Sequence, residues 1–131
     1  MNASGAQYLV IGGYAVNYYG YSRATADMDI WIAINPENAS RVAATVREFG
    51  FSTAETQSFL ERGRVIRMGE PPIRIEVLTS ISGVEFASCF ERRVESELDG
   101  VAVNLIHLDD LKCNKAASGR LKDLLDLEQL G

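Results

Sequence analysis

The sequence predicts an α+β fold in which helices pack on a small mixed β-sheet. Short apolar runs bounded by turn-forming residues are typical of buried strands, and they recur along the chain. Segments with apolar residues at helical spacing, which are typical of helices, lie between these runs. The strands and helices do not alternate strictly, as they would in a parallel α/β fold. The chain has 131 residues, of which 47% are hydrophobic, so we expect one domain spanning residues 1–131.

The first half of the chain is expected to contain two strands and two helices. Gly12 and Gly13 stop the first apolar run, and Gly20 closes the short helical segment that follows. Asn35 suits a helix N-cap and Pro36 suits the first helical position, so the second helix should begin here. The predicted elements are a strand at 8–11, a helix at 14–19, a strand at 27–34 and a helix from residue 36 to Gly50.

The second half is expected to contain three strands and two helices. A turn at residues 69–72 separates two apolar runs that suit a hairpin, and residues 99–100 signal another turn. Asp109 and Asp110 are interpreted as the N-cap and a first-turn acid of a helix that breaks at Gly119. The predicted elements are strands at 64–68, 73–78 and 101–106 and helices at 109–118 and 121–130.

Charge and composition exclude several classes of protein. The net charge is −5 and the pI is about 4.9, which argues against a broad nucleic-acid-binding surface. No apolar run approaches the ~20 residues of a membrane span, and the N-terminus lacks the pattern of a secretory signal. Cys89 and Cys113 lack metal-ligand spacing and are interpreted as free buried thiols, so we expect a cytoplasmic protein.

Two aspartates interrupt the second predicted strand. Asp27 and Asp29 share one face because strand side chains alternate, while Met28 and Ile30 occupy the other face. Adjacent carboxylates repel each other, and burying them is costly unless a partner compensates their charge. A divalent cation such as Mg²⁺ or Mn²⁺ would do so. The alternative is a polar strand end with both aspartates solvated.

A third acid lies in a later strand. Glu76 is flanked by Ile75 and Val77 in the middle of the 73–78 run. If this strand neighbours the first acidic strand, three carboxylates converge, as a two-metal phosphoryl-transfer site requires. The alternative is that Glu76 pairs with Arg74 or Arg67 on an exposed sheet face.

The glycine pair has two interpretations as well. Gly12 and Gly13 lie between a strand and a helix, where glycine permits positive φ and close approach of a ligand. The amides at the start of the following helix would then form an anion site. The alternative is a tight turn that binds nothing.

Three blocks of sequence together resemble a known family. They are GGYAVNYYGYSRATADMDI, RIEVL and KAASGRLKDLLDL. Their order resembles the minimal nucleotidyltransferases of the DNA polymerase β superfamily, especially the bacterial group related to the AbiEii toxins. The resemblance spans nearly the whole chain. Two positions depart from the family pattern, since Tyr14 stands where many members have serine and Glu76 where many have aspartate.

The resemblance implies roles for nine residues. Asp27, Asp29 and Glu76 would bind metal and act in catalysis, with Glu76 as the base for the attacking hydroxyl. The implied nucleotide-binding residues are Gly12, Gly13, Arg23, Thr25, Lys115 and Asp123.

The implied activity is that of a metal-dependent nucleotidyltransferase. It would use Mg²⁺ or Mn²⁺ to transfer a nucleoside monophosphate from an NTP such as ATP to a hydroxyl of RNA, a protein or a small molecule. The toxin-like relatives suggest a toxin–antitoxin or phage-defence role with an antitoxin or other protein partner. The alternative, motivated by Tyr14, is a module that binds a nucleotide or partner without turnover.

The remaining polar residues of the C-terminal region are interpreted as structural. Arg120 is expected to pair with Asp123, and His107 is assigned no chemical role. Solvated charges beside a leucine stripe are expected for Lys112, Lys122 and Asp126, the stripe being Leu121, Leu124, Leu125 and Leu127.

Overall fold

The described part of the chain folds around a mixed six-stranded sheet. The computed structural model describes residues 5–20, 27–48, 59–70, 73–98 and 100–130. Within these ranges the elements are β1 (Tyr8–Ile11), α1 (Gly12–Tyr18), β2 (Asp27–Ile32), α2 (Pro36–Glu48), β3 (Val65–Glu70), β4 (Ile73–Leu78), α3 (Phe86–Glu91), β5 (Val94–Leu98), β6 (Val101–Leu105), α4 (Leu108–Ser118) and α5 (Leu121–Leu130). The predicted α+β class is confirmed.

The strand order is β3-β4-β2-β1-β6-β5, with parallel and antiparallel pairs. β1 runs antiparallel to β2 and parallel to β6, and β2 runs parallel to β4. The β3–β4 and β5–β6 pairs are antiparallel, so the predicted hairpin before Leu78 is confirmed. This order places the end of β1 beside Asp29 of β2, and Asp29 beside Glu76 of β4.

The core is built from buried residues of the central strands, which include all four residues of β1. On β2 the side chains of Ile30 and Ile32 are buried, as the prediction for this face requires, and Met28 is half-buried. They belong to one hydrophobic cluster with residues of β1, α2, β4, β6 and α4. This burial fixes the register of the sheet, because a slip of one residue would exchange the two faces of β2.

The predicted start of α2 is confirmed. Asn35 Oδ1 accepts a hydrogen bond of 2.8 Å from the Asn38 main-chain N–H, and Pro36 is the first helical residue. The buried Asn38 side chain donates to the carbonyls of Gln7 and Ala33, at 3.1 and 2.8 Å. These bonds tie the helix to the segment before β1 and the end of β2. Gly50, the predicted end of this helix, lies outside the described residues.

Other element boundaries differ from the prediction. α1 begins at Gly12 rather than at residue 14, so the glycine pair opens the helix instead of preceding it. The prediction did not include α3 or β5. α3 has only six residues, which is too short for a clear helical period. β5 has the sequence VESEL and lies at the edge of the sheet. Its alternating glutamates make the segment polar, so its sequence does not resemble a buried strand.

The start of α4 corrects the interpretation of Asp109 as the N-cap and confirms Asp110 as a first-turn acid. His107 is the N-cap, because its Nδ1 accepts a 3.1 Å hydrogen bond from the main-chain N–H of Asp109. Asp109 is therefore a first-turn acid and not the cap. Asp110 is buried and accepts two hydrogen bonds from Arg92, at 2.8 and 3.0 Å.

The two cysteines are both free, as predicted, but only Cys89 is buried and Cys113 is exposed. Burial raises the pKa of the Cys89 thiol to about 11, with Asp110 adding to the shift. No helix in the described ranges is both long and apolar enough to cross a membrane.

The C-terminal helices reverse the predicted pattern of burial. Gly119 ends α4 in a left-handed conformation with φ +65°, which confirms the predicted break. The leucine stripe of α5, however, is largely exposed, with Leu121 74% accessible and Leu124 and Leu125 about half accessible. Asp126 is only 2% accessible, so its assignment as a solvated charge is wrong. The helix turns its acids inward because a buried lysine of α4 requires partners.

Candidate functional site

A cavity of about 350 Å³ brings three of the predicted site residues together. It lies between the central strands and the α4–α5 pair. Its walls come from the end of β1, the middle of β2, the segment after β4 and the C-terminal half of α4. The polar and glycine residues that line it include Gly12, Asp29, Ser80, Asn114, Lys115 and Arg120.

The contact between Gly12 and Asp29 determines the shape of one wall. Gly12 has φ +64°, a conformation that residues with a side chain rarely adopt. A Cβ at this position would lie only 3.1 Å from Asp29 Cγ and 3.2 Å from Asp29 Cβ. The Asp29 carboxylate therefore lies directly against the main chain at the start of α1, and glycine is required there for two independent reasons. Gly13 follows as a buried residue of the same helix.

Asp29 and Glu76 occupy paired positions on neighbouring parallel strands. Asp29 of β2 is in register with Glu76 of β4, so their side chains leave the sheet on the same face. Parallel strands lie about 4.8 Å apart, which brings two acidic residues side by side. Asp27, two residues earlier on β2, is in register with Arg74. The side chain of Asp27 is outside the described part of the structure.

Glu76 also makes the ion pair that the alternative interpretation predicted. Arg67 Nε donates to Glu76 Oε1 at 2.8 Å, across the β3–β4 hairpin. The Arg67 side chain is 62% accessible, whereas that of Glu76 is 17% accessible, so the pair is exposed only on the arginine side. A ligand that binds the Glu76 carboxylate must therefore displace Arg67 toward the solvent.

The acids fit a hard divalent cation. Asp29 and Glu76 supply carboxylate oxygens, the ligand type that Mg²⁺ and Mn²⁺ prefer. No group of three His, Cys, Asp or Glu side chains within the described ranges is arranged to hold a metal. Asp27, two residues before Asp29 on β2, is the acid that the sequence predicts would complete such a set.

Lys115 lines the cavity from α4 and is held from behind by two acids. Its side chain is only 4% accessible, and Nζ lies 3.0 Å from Asp123 Oδ1 and 3.2 Å from Asp126 Oδ2. Both carboxylates come from α5 and are almost completely buried. Lys115 thus carries a positive charge at the cavity wall, although two carboxylates compensate it.

Asp123 is the centre of this buried network. Ser118 Oγ and Arg120 Nε donate to Asp123 Oδ2, the second at 2.6 Å, so the predicted pair of Arg120 with Asp123 is confirmed. Burial alone raises the pKa of Asp123, but hydrogen bonds from Ser118, Arg120 and Lys115 together lower it to about 2. The Asp123 side chain does not line the cavity, and it touches Lys115 instead.

The segment after β4 forms a wall that the sequence did not predict. Asn114 Nδ2 donates to the Ser82 carbonyl at 3.0 Å. Gly83 has φ +81°, and a Cβ there would lie 3.2 Å from the Cys113 carbonyl. These contacts hold residues 80–83 tightly against α4. The glycine is the one signal in the sequence that indicates this close approach.

Two predicted nucleotide-binding residues cannot be placed. Arg23 and Thr25 fall in the segment 21–26, which lies outside the described residues. Their assignment stays a prediction.

The fold and this arrangement of acids, glycine and lysine define a nucleotidyltransferase-like protein. A similar solved structure is an antigenic nucleotidyltransferase-like protein from Paracoccidioides brasiliensis, with a TM-score of 0.58 and 17% identity. The match covers 98% of this chain and 69% of that one. A family model described as "Nucleotidyl transferase of unknown function (DUF2204)" matches residues 1–131, so the chain belongs to this family. A search of curated proteins found no significant match.

Proposed function

We propose that this protein is a metal-dependent nucleotidyltransferase that transfers a nucleoside monophosphate from an NTP, such as ATP, to a hydroxyl. The observation that carries the proposal is the Asp29 carboxylate. It lies against the main chain of Gly12, in register with Glu76, in a cavity that Lys115 also lines. Family membership supports the same class of reaction.

Each residue has a defined part in the proposed reaction. Asp29 and Glu76, together with Asp27, would hold Mg²⁺ or Mn²⁺, which when bound supplies Lewis-acid stabilisation of charge on the phosphate oxygens. The acceptor oxygen bonds to the α-phosphorus, and the bond from that phosphorus to the bridging oxygen breaks, releasing pyrophosphate. Glu76 takes the proton of the acceptor hydroxyl once Arg67 is displaced.

The remaining residues would bind the phosphates. Gly12 would offer main-chain approach, with the buried Gly13 next to it in α1, while Lys115 and Arg120 place positive charge at the cavity. Asp123 would act by fixing Lys115 rather than by touching the nucleotide. The resemblance to the AbiEii toxins adds an antitoxin or another protein as partner, and the cytoplasm as location.

A binding module without turnover is the second candidate. It is favoured by the double compensation of Lys115, because a lysine held by Asp123 and Asp126 offers less charge to a triphosphate. Tyr14 in place of a serine after the glycines points the same way.

The test is a thermal-shift titration with each NTP, with and without Mg²⁺ or Mn²⁺, followed by an assay of pyrophosphate release. A ligand that binds only the folded state stabilises it by about 2.7 kcal/mol at a hundred times Kd. Asp29→Asn should abolish the metal-dependent shift. Asp109→Asn, the same change at a carboxylate that is 82% accessible at the start of α4, should leave it intact.

Three outcomes separate the candidates. A metal-dependent shift together with pyrophosphate release supports the enzyme. A shift without release, across RNA, protein and small-molecule acceptors, supports the binding module. An equal shift in wild type and Asp29→Asn contradicts both, because neither then uses the acidic strand.

A further inference from the structure

A second cavity adjoins the first on the same side of the sheet. Its volume is about 530 Å³, within the range of roughly 300–1,000 Å³ that is typical of small-molecule sites. Neither the sequence nor the family description assigns it a role. Its walls include Gln7, Trp31, Arg62, Phe86, Ala87 and Phe90.

The two cavities are adjacent in the fold and share part of one wall. Ser80 and Ile81 line both of them. Asp29 lines the first and Trp31 the second, and these residues lie two positions apart on the same face of β2. Two residues of a strand span about 7 Å, so one ligand can reach from the carboxylate to the tryptophan.

The walls of the two cavities differ in chemistry. The first is lined by one acid, two cations, hydroxyl groups and glycine, which suit a metal-bound phosphate chain. The second has an aromatic wall, in which Trp31 meets Phe86 edge to face at 5.1 Å and Phe86 stacks on Phe90 at 5.4 Å. Rings in such walls favour flat aromatic ligands.

Polar side chains stand around this aromatic wall. Gln7, Arg62 and Glu85 are exposed residues that line the second cavity. They offer an amide, a guanidinium and a carboxylate, which are groups that can hydrogen-bond the edges of a nucleobase. A molecule with an anionic end and a flat heteroaromatic end matches the pair of cavities.

We infer that the second cavity holds the nucleobase and ribose of the NTP whose phosphates lie beside Asp29. The inference rests on the proposed function, since it extends the same ligand from one cavity into the next. It assigns the choice of base to residues before β1, at the end of β2 and in α3.

The chain contains a built-in reporter for this site. Trp31 is the one tryptophan of the sequence, so the intrinsic fluorescence of the protein reports on the second cavity. The probes are the nucleosides adenosine, guanosine, cytidine and uridine on one side and inorganic tripolyphosphate with Mg²⁺ on the other. At least one nucleoside should change the fluorescence in a saturable way.

A pair of variants separates the two ends of the ligand. Ala87→Phe places a large ring at an exposed position of α3 that lines the cavity, and Ser88→Phe places the same ring at the exposed next residue, which does not line it. Ala87→Phe should weaken binding of the nucleoside and of the NTP by roughly tenfold to a hundredfold, the cost of overfilling a packed site. Ser88→Phe should change neither, and both variants should bind tripolyphosphate like the wild type.

Two results would overturn the inference. One is that all four nucleosides leave the Trp31 fluorescence unchanged while tripolyphosphate still binds with Mg²⁺. The other is that Ala87→Phe binds NTPs as tightly as Ser88→Phe. Failure of the proposed function looks different, because tripolyphosphate then binds neither wild type nor variants in a metal-dependent way.

Discussion

Replacing Lys115 by methionine tests how the buried network supports the site. The lysine is 4% accessible and contacts two carboxylates that are almost fully buried. Asp123 keeps hydrogen bonds from Ser118 and Arg120 in the variant, whereas Asp126 loses the ion pair with the lysine. Removing one member of a buried ion pair costs about 3–5 kcal/mol, because the remaining charge is buried with less compensation.

The assay is urea unfolding of the wild type, Lys115→Met and a double variant that also carries Asp126→Leu. The single variant should lose about 3–5 kcal/mol of unfolding free energy, a large part of the ~5–15 kcal/mol of an ordinary domain. The double variant should recover at least about half of that loss, since replacing both charges by apolar groups is often neutral.

An exposed pair of equal length provides the control. Arg64 Nη1 lies 3.0 Å from Glu61 Oε2, the same distance as Lys115 from Asp123, but both side chains are about half accessible. Arg64→Met should cost no more than about 1 kcal/mol. If Lys115→Met costs as little, or if the double variant is no more stable than Lys115→Met, the buried network does not stabilise the fold as argued.

Three further changes have outcomes that the structure fixes. The pKa of Asp123 is about 2 when folded, below its ordinary 3.8, so its contribution to stability is present above about pH 4 and is lost as the pH falls toward 2. The wild type should therefore lose about 2 kcal/mol of unfolding free energy over this pH range. In Asp123→Asn, the fall in unfolding free energy between about pH 4 and about pH 2, measured by urea unfolding, should be smaller by that amount. Gly12→Ala should cost at least about 2 kcal/mol in thermal unfolding and abolish metal-dependent nucleotide binding, because it adds a clash with Asp29 to the strain of positive φ. Gly63 has φ +76° and open space around it, so Gly63→Ala introduces backbone strain without a clash. Equal losses of stability in Gly12→Ala and Gly63→Ala would therefore contradict the clash with Asp29. Asn35→Ala should cost about 1 kcal/mol in chemical unfolding and Asn35→Ser much less, and a cost near zero for the first would mean that the cap does not stabilise α2.

The parts of the fold that could be predicted from the sequence are those with strong local signals. The apolar run of β1 and the glycine after it define the first strand, and Asn35 with Pro36 defines the start of α2. The turn signals around β3, β4 and β6 place the strands to within about two residues. Each of these depends on neighbours in sequence, which is what a pattern of residues records.

The parts that could not be predicted depend on partners distant in sequence. β5 is a strand because β6 pairs with it, although its glutamates resemble a solvated segment. His107 caps α4 with a ring nitrogen, which is uncommon, so the aspartates after it are the more conventional candidates. Asp110 is buried only because Arg92, eighteen residues earlier, reaches it.

The candidate site also has a part that could be predicted from the sequence and a part that could not. Strand alternation alone places Asp27 and Asp29 on one face, and the register of β2 with β4 adds Glu76 to that row. The second cavity could not be predicted, because Trp31 and Phe86 meet only after α3 packs on the sheet.

The orientation of α5 follows from the charge of one residue. A helix with leucines at positions 121, 124 and 125 would normally bury them, yet all three are exposed while Asp123 and Asp126 face inward. Lys115 lies inside the fold next to the cavity, and both inward-facing acids contact its ammonium group and compensate its charge. The charge at the cavity and the docking of α5 are therefore coupled. Lys115→Met removes the charge that holds Asp123 and Asp126 inward. We therefore expect this variant to destabilise the packing of α5 more than it destabilises the sheet. Hydrogen exchange would detect this as faster exchange of the α5 amides than of the β1 and β2 amides, and uniform loss of protection across these elements would contradict the coupling.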